Sequence, residues 1–225
     1  MVDNAYKYFL GKNFPYIKYT RNYDKIFDCL EKIDFSMYTI IKISNNKNLN
    51  DFSIILGHLR NTLYRILLYL PLKDSICIDT CLRMSSELFL KLVYYFLKKD
   101  EKSLDKVSST SFRFLKEEII KSIYYIKFKN EFDFFFNIYA SNSNKIHLKE
   151  PIINNNFDYL SDILYSNETN LLNNLSKKLN NFLIYSLRII LTILDIHDYD
   201  FKSSDIITLR KKFNINSDSI IDFFK

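Results

Sequence analysis

Only two glycines, Gly11 and Gly57, occur in this chain of 225 residues, and they stand far apart. Glycine takes positive φ and admits close backbone approach without a steric penalty. A phosphate-cradling loop needs several such positions together, so neither a Walker loop nor a dinucleotide fingerprint can be written here. Tight hairpins draw on the same residues, and the chain has no Asn-Gly or Asp-Gly pair. An all-α fold is the expectation.

The rest of the composition qualifies that constraint. Asn, Ile and Lys supply 23, 30 and 25 residues, against two Ala, a bias that AT-rich coding explains. The formal net charge of +6 is therefore weak evidence for nucleic acid, because the same bias inflates Lys. At 48% hydrophobic and 26% charged the chain is globular. Met1 to Lys12 carry polar and charged residues throughout, which predicts no signal peptide. The most apolar stretch, Phe182 to Ile196, contains Arg188 and is too short to span a bilayer. A cytoplasmic protein without membrane contact is expected. Cys29, Cys77 and Cys81 are odd in number and scattered, and read as small buried thiols with no metal or cofactor.

Apolar periodicity predicts one domain, a bundle of about five to eight helices over residues 1–200, with short helices at 201–225 packed on it. A first helix runs from about Asn22 to Ile33, extending through Tyr38 to Ile43, before an Asn-rich loop at Ser44 to Asn50. The second spans Asp51 to Leu70 and stops at Pro71, which cannot donate and disfavours helix before it. The third begins at Asp74, a good N-cap, and reaches Lys99. After a polar connection, helices are expected over Ser111 to Lys127 and from Asn130 as far as Leu148. A loop or short helix at Ile152 to Tyr165 leads to a long helix over Glu168 to Ile196. Two short helices close the chain, the first capped by Ser204 and the second by Asn216 or Ser217.

Polar residues at helical spacing on apolar helices are the candidate chemistry. Arg83 and Glu87 lie four apart on the third helix, where a charge pair forms readily. Tyr139, Ser143 and His147 repeat every four residues, so a helix through them presents phenol, hydroxyl and imidazole on one stripe. His147 suits acid–base work near neutral pH, and Arg83 suits two-point phosphate binding. His58, Arg60 and Arg65 read as a solvated helix face. The Thr208–Phe213 basic segment with the following helix resembles a helix-turn-helix only superficially, because Asp218 and Asp222 would repel a nucleic-acid backbone.

Leu82-Arg83, Glu87, Lys91 and Tyr94, followed by Tyr139, Ser143 and His147, resemble the pattern of HEPN-like helical proteins of bacterial abortive-infection and toxin-type systems. The resemblance covers about Asp79 to Leu194 and implies a HEPN-like core over about 51–196. It implies a homodimer and contact with RNA, with Arg83, Glu87, Tyr139, Ser143 and His147 as the polar site. Active members are metal-independent ribonucleases with Arg and His separated by four to six residues. That spacing is absent here: Arg60 is followed there by Arg65, Ile66 and Leu67, and Arg83 by Leu88, Phe89 and Leu90. A component of an anti-phage defence or toxin–antitoxin system that contacts or cleaves RNA is thus one expectation. The other is a non-catalytic helical interaction protein, such as a regulatory or immunity partner encoded in the same operon, or a viral or mobile-element inhibitor.

Overall fold

Long apolar stripes drive the architecture, because each helix must bury its stripe against another. The computed structural model describes residues 5–17, 19–98, 103–146, 168–217 and 219–224, and all regular structure among them is helical. In chain order the helices are α1 (Ala5–Asn13), α2 (Arg21–Asn46), α3 (Asn50–Tyr64), α4 (Ile66–Tyr69), α5 (Ser75–Lys98) and α6 (Leu104–Ser108). There follow α7 (Phe112–Ile120), α8 (Ile123–Lys127), α9 (Lys129–Ile146), α10 (Glu168–Ile193), α11 (Ser203–Phe213) and α12 (Ile220–Phe224). None of the helices is long and apolar enough to cross a membrane.

The five long helices pack in the order α9, α5, α3, α2, α10, and α10 returns to touch both α5 and α9. Aromatic rings fill the place where the circuit closes. Phe89 of α5 stacks on Phe135 of α9 with ring centroids 4.1 Å apart, and Phe182 of α10 meets Phe135 edge-on at 5.1 Å. All three are fully buried. Such pairs add about 0.5–1.5 kcal/mol each beyond their area burial.

Two expected helices are interrupted. The helix over 51–70 breaks between α3 and α4 at Arg65, whose dihedrals (φ −60°, ψ −21°) stay in the right-handed helical region. The helix over 111–127 divides at Ser122, whose Oγ accepts from Tyr125 N at 3.3 Å and donates to Ile119 O at 2.7 Å. A serine that bonds its own backbone competes with the helix ladder and starts a new turn. By contrast α2 runs unbroken to Asn46, shortening the loop expected at Ser44 to Asn50. Short helices α1 and α6 arise where no helix was expected. The segment expected as a loop or short helix at Ile152 to Tyr165 lies outside the described residues.

The cap predictions divide in the same way. Asp74 Oδ1 accepts from Cys77 N at 2.9 Å and caps α5. Helix α11 starts one residue before Ser204, with Lys202 at the cap and no side-chain bond there. For α12 the local cap is Ser219, not Asn216 or Ser217: its Oγ accepts from Asp222 N at 3.1 Å. A tertiary contact adds to it, Asp198 Oδ1 accepting from Ile220 N at 3.0 Å and Ile221 N at 3.2 Å. At the other end, Arg188 Nε of α10 donates to Phe224 O at 3.0 Å. Arg188 also pairs with Glu131 of α9 at 3.0 Å, joining three helices.

Helix ends show how the chain turns without glycine. Asn48, Lys73, Asp195 and Asn214 all have positive φ, between 47° and 59°. Each sits just before a closing bond from the next N–H to the carbonyl five residues back: Leu49 to Ser44, Asp74 to Tyr69, Ile196 to Leu191 and Ile215 to Arg210. These are Schellman-type ends in which glycine usually holds the left-handed position. Lysine and aspartate have no special tolerance of it equal to glycine's, and a side chain there costs about 1 kcal/mol. Lys47 reinforces one such end, its ammonium donating to Leu194 O at 3.3 Å and Asp195 O at 3.2 Å, where the α10 dipole is negative. Asp195, with an exposed side chain, also places a negative charge against that dipole. Asp195→Gly should therefore raise the unfolding free energy by about 1 kcal/mol in urea titrations; a destabilised variant would show that the residue's pairing with His197 outweighs backbone relief.

Candidate functional site

Helix α5 is apolar nearly all round and α9 carries four phenylalanines, so their stripes face each other across the core. The Phe89–Phe135 stack sets an antiparallel register, since moving back along α5 to residue 83 means moving forward along α9 to 139 and 143. There Arg83 Nε donates to Ser143 Oγ at 2.7 Å, and its Nη2 donates to Tyr139 Oη at 3.0 Å. The guanidinium carbon lies 4.7 Å from the centre of the Tyr139 ring. Behind that ring, Phe112 of α7 stacks at 3.5 Å and 6°, holding the phenol in place. All three polar residues are half-buried.

Three of the five residues expected at the site thus come together. Glu87 does not join them: it pairs with Lys91 at 2.9 Å, and Lys91 donates onward to Ser108 O at 2.7 Å. Both partners stand four residues from Glu87, but side chains lean toward the helix N-terminus, which favours acid before base over base before acid. Glu87 therefore ties α5 to α6 and forms no pair with Arg83. His147 lies outside the described residues. Tyr94, also part of the quoted pattern, is fully buried beside Val107 and Leu115.

Three other arginines make a contrast. Arg60 is held bidentately by Asp34, Arg113 pairs with Glu117 at 3.0 Å, and Arg188 pairs with Glu131. The hydrogen bond to Asp34 raises the Arg60 guanidinium further above its usual value, against the opposing effect of burial. Arg60 is thus committed to structure, whereas His58 and Arg65 are exposed as expected of a solvated face. Among the described residues Arg83 hydrogen-bonds two neutral hydroxyls and makes no ion pair. Because Ser143 and Tyr139 accept from Arg83, their own protons remain available to donate, alongside the remaining guanidinium N–H groups. The arrangement is a ready-made set of donors for an oxyanion.

Sequence reasoning missed the buried polar residues beneath it. Ser85, Ser86 and Asn142 are fully buried, and both serine hydroxyls and Asn142 Nδ2 have no hydrogen-bond partner among the described residues. Small residues permit close helix approach, and no periodicity separates that use of serine from a surface one.

The thiols offer no nucleophile. Burial pushes Cys29 up to about 12, and a hydrogen bond to Asp74 together with burial pushes Cys77 up to about 11. Burial also raises Cys81. Protonated thiols neither attack nor bind metal. Among the described residues no group of three or more His, Cys, Asp and Glu side chains could hold a metal ion. No protein-family model, curated protein or solved structure matches the chain.

The cluster's energetics are open to direct measurement. A double-mutant cycle with Arg83→Ala and Ser143→Ala should give a coupling of about 1 kcal/mol in unfolding free energy, the scale of a half-exposed charge-assisted hydrogen bond. A coupling near zero would mean that the bond does not persist in solution.

Proposed function

We propose that the chain is a HEPN-like, dimeric, cytoplasmic component of an anti-phage defence or toxin–antitoxin-type system that contacts RNA phosphate through Arg83, Tyr139 and Ser143. The observation that carries this reading is the guanidinium held by two hydroxyls, with no ion pair to a carboxylate among the described residues. An arginine so presented binds phosphate at two points, with both hydroxyls adding donors. Ile120, Ile123 and Ile126, exposed on α7 and α8, supply an apolar surface for a second copy. A second reading, a non-catalytic regulatory or immunity partner, draws on the open groove described below.

Fluorescence anisotropy with single-stranded RNA tests the proposal. Binding should weaken with added salt, and Arg83→Ala should lower affinity about tenfold at moderate ionic strength. Equal affinity for the Arg83→Ala chain would refute the site, and no RNA binding by the unaltered chain would favour the interaction protein. Gel analysis of the same RNA separates contact from cleavage: RNA cut by the unaltered chain but left whole by His147→Ala would make it a ribonuclease, with His147 as acid or base.

A further inference from the structure

A wide opening in the surface lies away from Arg83. It is a cavity of about 1170 Å³, open to solvent, between α1, α2, α4 and α11. Phe9, Phe27, Leu67, Leu68 and Ile207 give it an apolar lining. Three of these leave much of their surface to water: Ile207 is 67% exposed, Leu68 46% and Phe9 38%. Apolar surface displayed inside a concavity, with charged residues around it, marks a place for another chain.

The charges decide what kind of chain. Lys32 is neutralised by Asp28 at 2.7 Å, and Lys212 by Glu31 at 3.7 Å, with Glu31 also accepting from Tyr64. Lys211 lines the same cavity, is exposed, and makes no ion pair among the described residues. A second cavity of about 500 Å³ shares Asp28 and Lys32 with the first and continues the groove toward α10. It adds Lys25 and Lys177, both exposed and likewise without an ion pair among the described residues, together with Asn180 and Asn181. The groove therefore offers an apolar floor flanked by three unneutralised cations. A second copy of this chain would bring the same positive excess, in keeping with its net charge of +6. The rings of Phe9 and Phe27 already stack on Tyr6, and Leu67, Leu68 and Ile207 are branched aliphatics, a lining that suits apolar side chains better than nucleobases that need a flat face.

We infer that this groove is the docking site for an acidic amphipathic helix of a partner protein. Apolar side chains at i, i+3, i+4 and i+7 seat among Phe9, Leu68 and Ile207, and carboxylates on the flank meet Lys25, Lys177 and Lys211. The inference is independent of the Arg83 reading, because the groove shares no residue with that cluster.

Selection of a displayed random-peptide library against the full chain tests it. Enriched peptides should carry large apolar residues at helical spacing together with Asp or Glu. Synthetic copies should bind about tenfold or more weakly to Ile207→Asp, and about tenfold more weakly to the Lys177→Glu, Lys211→Glu double variant. Arg83→Ala should leave peptide binding unchanged. Ile207, Lys177 and Lys211 are exposed, so these variants should keep the fold, as circular dichroism would verify. Three results would overturn the inference: no enrichment, enrichment of basic peptides, or peptides whose binding ignores both groove variants. It would also fall if the groove served self-association, seen as a dimer in sedimentation that Ile207→Asp dissociates, or if single-stranded RNA displaced the bound peptide.

Discussion

The contact between α5 and α9 governs the rest of the molecule. Phe89 and Phe135 stack at its centre, and Phe182 closes over them from α10, so the two helices cannot slide without opening fully buried core. The register so fixed carries Arg83 to Tyr139 and Ser143, four to eight residues away from the stack. A polar site placed by aromatic packing is held more firmly than its own hydrogen bonds could manage, since each contributes only about 1–3 kcal/mol even when one partner is charged. Phe112 adds a third helix to the same device by backing the Tyr139 ring.

What could be read beforehand followed from spacing within single helices. Tyr139 and Ser143 share a stripe for geometric reasons, and Arg83 is conspicuous on an apolar helix. The pairing of Glu87 was misread because equal spacing hides the lean of helical side chains, which favours Lys91. Features built from distant segments left no local trace. Asp198 capping a helix 22 residues later is one, and the α1–α2–α4–α11 groove, assembled from four stretches, is another. The left-handed turns were hidden by the lack of glycine itself: Lys73 and Asp195 occupy positions whose usual signal is absent from this chain.

Cations divide into two populations. Arg60, Arg188, Lys42 and Lys47 are spent on structure, each spanning helices to a carboxylate or a helix-end carbonyl. Lys25, Lys177 and Lys211 are not, and among the described residues Arg83 is held by two hydroxyls and makes no ion pair. In a chain whose lysine content reflects coding bias, the total positive charge says little. The separation of committed from uncommitted charge is informative, because a half-buried or groove-lining cation left without an anion is a standing electrostatic attraction.

The tertiary grip on α12 has a consequence for how that segment behaves. Five residues are far too few to sustain a helix alone, since nucleation outweighs the bonds gained. Asp198 holds its first N–H groups and Arg188 its last carbonyl, so the segment is in effect a peptide ligand joined covalently to its own receptor. Its amide exchange and its susceptibility to proteases follow a docking equilibrium, not the unfolding of the bundle. Supplied in trans to a chain cut before residue 219, the same short segment would compete for its seat like any other ligand, with an occupancy set by concentration.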